Sequence, residues 1–268
     1  MNKIAIFLFL FFIGTVGIFT FRPLGATNDL LEQSMYCLAA FIATTSAFLA
    51  LRTYGKGPRF RSLLCLTLGL LCWFIADVTF IYFDFIVRNL PYPSIADCFY
   101  LIAYLLLAIG LIFEVFLSDV SWKKMDKKVY LISGLFTAIM LTTFSFLTVS
   151  SSYSPTVSFW ENVVTIGYTV GDLILSLAGF FILVIAWEYR GGKVSKVWIS
   201  IFLGFLITMI ADLIYAKFTD EFAKHIGLIY SLSQYCYILG YLFIANGFLL
   251  LRSVLQSFQK RATIKSTT

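Results

Sequence analysis

The sequence is poor in the charged residues that a water-facing surface requires. Only 13% of its 268 residues are Asp, Glu, Lys or Arg, while 60% are apolar and the mean hydropathy is +0.90. A soluble domain normally carries about a quarter charged residues. The chain therefore lacks the composition of a soluble domain, and we expect most of it to lie in a lipid bilayer.

The residues that make up common metal and hydrolase sites are also scarce. There is one histidine, His225, and the five cysteines lie in apolar runs without Cys-x-x-Cys spacing. Zinc sites need clustered Cys and His ligands, and Ser/His/Asp hydrolases show a Gly-x-Ser-x-Gly elbow that is missing here. We therefore predict no metal, no cofactor and no identifiable catalytic residue. The net charge of +6 is dispersed over short segments, which argues against nucleic acid as a partner.

Apolar runs dominate what is present, and each is long enough for a transmembrane helix of about 20 residues. Their approximate cores are 4–21, 35–51, 62–86, 95–117, 129–149, 162–187, 198–216 and 227–251. The first run is too long for a signal peptide and has no small-x-small cleavage site, so we expect it to be retained as a helix. The pattern predicts an all-α, polytopic membrane protein of about eight transmembrane helices, with a transmembrane domain over 1–252 and a basic tail over 253–268.

The positions of the basic residues predict the orientation of these helices. All but four of the 20 Lys and Arg residues fall in segments that lie on one side if every apolar run crosses the membrane. The exceptions are Arg22, Arg88, Lys217 and Lys224. Because Lys and Arg concentrate on the cytoplasmic side, we expect both termini to be cytoplasmic in a protein of the cell membrane.

Short motifs recur between the two halves of the chain. Leu68-Gly69 and Ala76-Asp77 return as Leu203-Gly204 and Ala211-Asp212 at an offset of 135, and Tyr104 with Gly110 returns as Tyr241 with Gly247 at an offset of 137. Four helices per half would give both halves the same orientation in the membrane. We therefore predict parallel tandem repeats over 1–122 and 123–252.

Carboxyl groups occur within the apolar runs, where insertion costs about 2.5–3.5 kcal/mol each. Asp77, Asp97, Asp172 and Asp212 all fall in the outer half of the membrane under the predicted orientation. Tyrosines share their helix faces at spacings of three, four and seven residues. The predicted ligand-binding residues of an outward-opening pocket are Asp77, Asp97, Tyr100, Tyr104, Tyr168, Asp172, Asp212, Tyr215, Gln234, Tyr237 and Tyr241. Two other interpretations remain open: these carboxyls hold neighbouring helices together, or they act directly in catalysis.

The segment Tyr92-Pro93-Ser94-Ile95-Ala96-Asp97-Cys98-Phe99-Tyr100 resembles a module found at the N-terminus of many microbial signalling proteins. These are diguanylate cyclases, cyclic-di-GMP phosphodiesterases and sensor histidine kinases. Trp73/Asp77, Tyr168/Asp172, Asp212/Tyr215 and Gly240/Tyr241 follow the order of that module's other motifs. The resemblance implies a sensory membrane module. Members of that family carry an output domain after the last helix, so this chain is expected to signal through a separate cytoplasmic partner.

The first functional hypothesis is therefore a non-enzymatic membrane sensor that takes part in signal transduction. Its partners would be the lipid bilayer and a small ligand, cation or lipid headgroup that enters from the external side. The first alternative is an intramembrane enzyme in which aspartates hydrolyse lipids. The second is a cation- or proton-coupled transporter, because tandem repeats and membrane carboxyls are common in transporters.

Overall fold

A computed structural model describes residues 3–20, 26–89, 91–118, 127–147, 155, 157–188, 192–218 and 228–267. Every regular element in these ranges is helical. The α-helices are α1 (Lys3–Thr20), α2 (Ala26–Tyr54), α3 (Phe60–Ile81), α4 (Ile95–Phe116), α5 (Lys127–Leu147), α6 (Phe159–Glu188), α7 (Lys193–Lys217) and α8 (Leu228–Thr267). A π-helical segment, Tyr82–Val87, continues α3. The prediction of an all-α chain is confirmed for the described residues.

Six helices of the described chain are long and apolar enough to cross a membrane. They are α2, α3 with its π-helical continuation, α4, α6, α7 and α8. In α1, the apolar stretch Ile6–Gly17 is shorter. The described chain thus has the long apolar helices that a membrane protein requires, whereas the count of eight spans stays a prediction.

The start of α4 follows from its local sequence. Asp97 Oδ2 accepts a hydrogen bond from the backbone N–H of Ser94 at 2.6 Å, and Ser94 Oγ accepts one from the N–H of Ala96 at 3.2 Å. This reciprocal arrangement is a capping box, in which the first free N–H groups of a helix are satisfied. Ser94 is therefore the N-cap of α4.

The six apolar helices pack into a closed ring. Along the ring α2 contacts α3, α3 contacts α4, α4 contacts α6, α6 contacts α7, α7 contacts α8, and α8 returns to α2. The two remaining helices lie outside it, α5 against α6 and α1 against α8. The ring places one face of each of its helices toward a common interior, and the buried carboxyl of Asp77 lies there, bonded to α2, α4 and α8.

Glycines set the closest helix contacts in both halves of the ring. A Cβ atom at Gly69 of α3 would lie 2.6 Å from the side chain of Leu107 in α4. A Cβ atom at Gly204 of α7 would lie 2.5 Å from that of Ile244 in α8. Small residues allow helix backbones to approach closely in a membrane. Gly204 follows Gly69 by 135 residues and Ile244 follows Leu107 by 137, which are the offsets seen in the sequence.

The polar tail continues the last helix. The α8 helix extends to Thr267, and the side-chain amide of Gln259 donates a hydrogen bond of 2.8 Å to the carbonyl of Thr53 at the end of α2. The first part of the predicted tail over 253–268 is thus a helical extension that packs back on the bundle.

Candidate functional site

Asp77 lies inside the ring and joins four helices. It projects from α3 and is 1% exposed. Its Oδ1 accepts hydrogen bonds from the hydroxyls of Tyr36 in α2, at 2.9 Å, and Tyr100 in α4, at 2.6 Å. Its Oδ2 accepts a third from Tyr241 in α8, at 3.0 Å. These phenol donors offset the desolvation that a carboxyl group suffers in a membrane interior.

Asp172 and Asp212 form a second polar centre, on α6 and α7. Their carboxyl groups lie within hydrogen-bonding range of each other. Tyr104 donates to Asp172 at 2.6 Å and lies 3.4 Å from Asp212. Tyr237 donates to Asp212 at 2.6 Å. Because a phenol has one hydrogen, the shorter Tyr104 bond is the one that forms.

Asp97 combines a structural contact with a contact to the cluster. Its Oδ2 is the acceptor of the capping box and also accepts from the hydroxyl of Ser94, at 2.9 Å. Its Oδ1 accepts from the hydroxyl of Tyr168 in α6, at 2.5 Å. Asp97 therefore fixes the start of α4 and ties that helix to α6.

Aromatic rings connect these carboxyl groups into one cluster. The indole of Trp73 lies 3% exposed, edge-on to the rings of Tyr104 and Tyr241 at centroid distances of 5.7 and 5.9 Å. Phe205 of α7 lies 6.0 Å away. Such edge-to-face pairs contribute about 0.5–1.5 kcal/mol beyond the burial of their surface. Trp73 thus packs between residues from both halves of the chain.

The contacts of one half recur in the other. Tyr100 donates to Asp77, and Tyr237, 137 residues later, donates to Asp212, which is 135 residues after Asp77. The ring of Tyr36 lies 5.4 Å from the rings of Tyr237 and Tyr241.

The counterpart of Tyr36 is Tyr168, at an offset of 132, and its ring lies 6.0 and 6.1 Å from those of Tyr100 and Tyr104. In each case the tyrosine of one half packs on two tyrosines of the other. These ring contacts are therefore exchanged between the halves, whereas the Tyr100–Asp77 and Tyr237–Asp212 bonds each stay within one half.

Nine of the residues that the sequence places in the site are joined by the hydrogen bonds and ring contacts described above. Tyr215 is 43% exposed, and within the described chain no hydrogen bond joins the buried Gln234 to the cluster. Tyr36 and Trp73 were not predicted. An alignment of α2 with α6 would have indicated Tyr36, because Tyr36 and Phe48 match Tyr168 and Phe180 at one offset. Trp73 is indicated in the sequence only by the resemblance to the sensory modules.

The chemistry of the cluster is acidic and phenolic. The described donors to the four carboxyls are tyrosine and serine hydroxyls and one backbone N–H, and none is a lysine, arginine or histidine. Among the described residues, no group of three or more His, Cys, Asp or Glu is placed to hold a metal ion. Four acidic groups whose described donors are all uncharged favour binding of a proton or a cation.

Two grooves of the described chain lie outside the cluster. One, of about 400 Å³, runs between α2 and α3 and is lined by Leu38, Phe41, Phe74 and Val78 among others. The other, of about 490 Å³, lies at the loop between these helices, beside Lys56 and Arg61. The hydrated, outward-opening pocket around the aspartates stays a prediction.

Comparison with known proteins adds no identity. No protein-family model, curated protein or solved structure matches the chain. The resemblance to the sensory modules of signalling proteins therefore stays a prediction, and the geometry of the cluster has to support the functional argument.

Proposed function

We propose that this chain is a sensory membrane module and that its tyrosine–aspartate cluster responds to a small cation. The observation that carries the proposal is the position of Asp77, Asp172 and Asp212. These carboxyls, on α3, α6 and α7, accept hydrogen bonds from tyrosines of α2, α4 and α8, and none of their described donors is basic. A cation that entered the cluster would compete with the phenol donors and change the bonds that fix the ring. Ligand binding would thus be coupled to helix positions.

The exchanged contacts favour this proposal over a purely structural role. A carboxyl group that only holds two helices together needs one partner on the neighbouring helix. Here Asp77 accepts from three helices, and one of its donors, Tyr241, comes from the other half of the chain. A change at one carboxyl would therefore affect both halves at once, as a sensor requires.

The proposal is tested by cation-dependent stabilisation of the purified full-length chain in lipid nanodiscs. The probes are sodium, calcium and tetramethylammonium, each titrated while the midpoint of thermal unfolding is followed. We expect one of them to stabilise the protein in a saturable manner, because a ligand at 100 times its Kd contributes about 2.7 kcal/mol. The variant Asp77→Asn/Asp212→Asn should insert normally and lose this response.

The matched control is Glu161→Gln, which removes a carboxyl at the start of α6 that has no described bond to the cluster. It should keep the full response. Two results would count against the proposal: the absence of a saturable shift with any of the three probes, and an unchanged shift in the double variant.

The contact between Asp172 and Asp212 favours a second candidate, an intramembrane hydrolase that acts on lipids. Two adjacent carboxyls can divide the roles of acid and base, because they cannot both ionise easily. Release of fatty acid from lysolipids by the purified chain, lost in Asp172→Asn, would establish this candidate. The third hypothesis, a coupled transporter, would require cation flux into proteoliposomes.

We further propose that α1 and α5 complete eight spans, with tandem repeats over 1–122 and 123–252 and both termini in the cytoplasm. The supporting facts are the basic residues at alternate ends and the contacts that recur at offsets of 132, 135 and 137. In a cysteine-free chain, cysteines at Arg88 and Val157 should react with an impermeant maleimide outside intact cells. Cysteines at Lys56 and Lys193 should not react. Labelling at position 193 with protection at 157 would show that α5 does not cross.

A further inference from the structure

The outer surface of the ring differs between the two halves. In the second half, α5 covers the pair α6 and α7. Phe136 of α5 stacks on Phe180 of α6 at 3.9 Å and lies 6.4 Å from Phe202 of α7. Phe180 is consequently only 6% exposed.

The corresponding pair in the first half, α2 and α3, carries no such helix in the described chain, because α1 packs on α8. Phe48 occupies the position of Phe180 at the offset of 132, yet it is 52% exposed. The groove of about 400 Å³ begins two helical turns along the same face, where the rings of Phe41 and Phe74 lie 5.6 Å apart. The surface formed by Phe41, Phe48, Leu71 and Phe74 is therefore an uncovered counterpart of an interface that the same chain builds elsewhere. We call it the α2–α3 face.

We propose that the α2–α3 face binds a single transmembrane helix of a separate protein, with an aromatic side chain near its middle and a carboxylate near one end. The aromatic group would take the place that Phe136 has in the second half. The carboxylate of the partner helix is inferred from Arg52, which corresponds to Val184 of the second half at the offset of 132. Val129, which follows Lys127 and Lys128, packs in the cluster that contains Val184. A helix with two lysines there would be repelled by Arg52, whereas an acidic one would be attracted.

A second copy of this chain fits the face poorly. In a membrane dimer the two-fold axis lies along the membrane normal, so equal depths meet. The groove of one copy would face the groove of the other, and Arg52 would face Arg52. The first contact leaves a void and the second places like charges together. A single inserted helix of opposite charge avoids both.

This partner would transmit the signal of the sensor. That role rests on the proposed function, but the docking surface does not. Binding can be measured without any cation, so failure of one proposal is distinguishable from failure of the other. The probe is a synthetic peptide with the sequence of α5, Lys127–Leu147, and a photoreactive group in place of Phe136. A second peptide carries glutamate in place of Lys127 and Lys128.

The experiment uses the full-length chain in nanodiscs and maps the photo-crosslinks. The glutamate peptide should crosslink to α2 and α3, and its affinity should exceed that of the lysine peptide by about tenfold. Arg52→Glu in the chain should reverse this preference. Phe48→Ala should weaken both peptides, while Phe113→Ala, which removes a 38% exposed ring of α4, should weaken neither.

The Arg52→Glu variant distinguishes charge reversal from a folding defect. A misfolded variant would lose affinity for both peptides, whereas the proposal requires Arg52→Glu to gain affinity for the lysine peptide. Several results would overturn the proposal. They are crosslinks confined to lipid, crosslinks to α6 and α7 alone through exchange with the native α5, and a preference for the glutamate peptide that Arg52→Glu leaves unchanged.

Discussion

Asp77→Ala is expected to destabilise the folded chain by about 3 kcal/mol. The substitution leaves the hydroxyls of Tyr36, Tyr100 and Tyr241 buried without their acceptor. Each buried donor that loses its partner costs about 1–3 kcal/mol. Removal of the carboxyl offsets part of this destabilisation, because placing a carboxyl in the membrane costs about 2.5–3.5 kcal/mol. The loss of three donors outweighs that gain. Unfolding of the chain in mixed detergent micelles measures the difference.

The second half of the chain supplies the control. Asp212 accepts one close phenol bond, from Tyr237, and lies beside the carboxyl of Asp172. Asp212→Ala therefore orphans one donor and also relieves the crowding of two acidic groups. We expect a loss of about 1 kcal/mol, on the order of a single hydrogen bond. Asp77→Asn, which keeps an acceptor oxygen, should fall between the two. Equal losses for Asp77→Ala and Asp212→Ala would contradict the assignment of three donors to Asp77.

The sequence predicts membrane helices well because lipid solvation constrains composition over whole segments. About 20 consecutive apolar residues leave few alternatives to a spanning helix. The same reasoning cannot tell the helices of the ring from those outside it. The sequence of α5 is as apolar as that of α7, yet α5 packs on the outside of the ring. The order of helices in the ring depends on contacts between side chains far apart in sequence.

Helical periodicity predicts which residues share a face and fails to predict their partners. Asp97, Tyr100 and Tyr104 fall on one face of α4, as their spacing indicates. The structure then divides them: Tyr100 bonds Asp77, Tyr104 bonds Asp172, and Asp97 bonds Ser94 and Tyr168. The spacing of one helix contains no information about the neighbour that each side chain meets. That information lies in the packing of α4 between α3 and α6.

The capping box shows a limit of a different kind. Ser94 is recognisable as an N-cap from its position before an apolar run. An aspartate within a membrane helix costs free energy of insertion, and for this reason the sequence predicts that the carboxyl of Asp97 binds a ligand. In the structure one oxygen of Asp97 serves the cap and the other accepts from Tyr168, while ligand binding at Asp97 stays a prediction. A residue with two acceptor oxygens can fulfil a local and a long-range role at once.

Trp73→Ala is expected to have the largest effect of any single substitution at the cluster, a loss of about 3–5 kcal/mol. The indole is buried and contacts Tyr104, Tyr241 and Phe205, so its removal leaves a cavity between the two halves. The residue 135 positions later is Thr208, and the second half therefore has no equivalent ring to compensate. Trp73→Phe should restore most of the stability, and Trp160→Ala, at a 67% exposed position of α6, should cost less than about 0.5 kcal/mol. Because Trp73 packs on tyrosines that bond Asp77 and Asp172, the variant should also lose cation-dependent stabilisation in the same titration. A variant that unfolds earlier but keeps the full cation response would show that the indole only fills space and does not position the carboxyl groups.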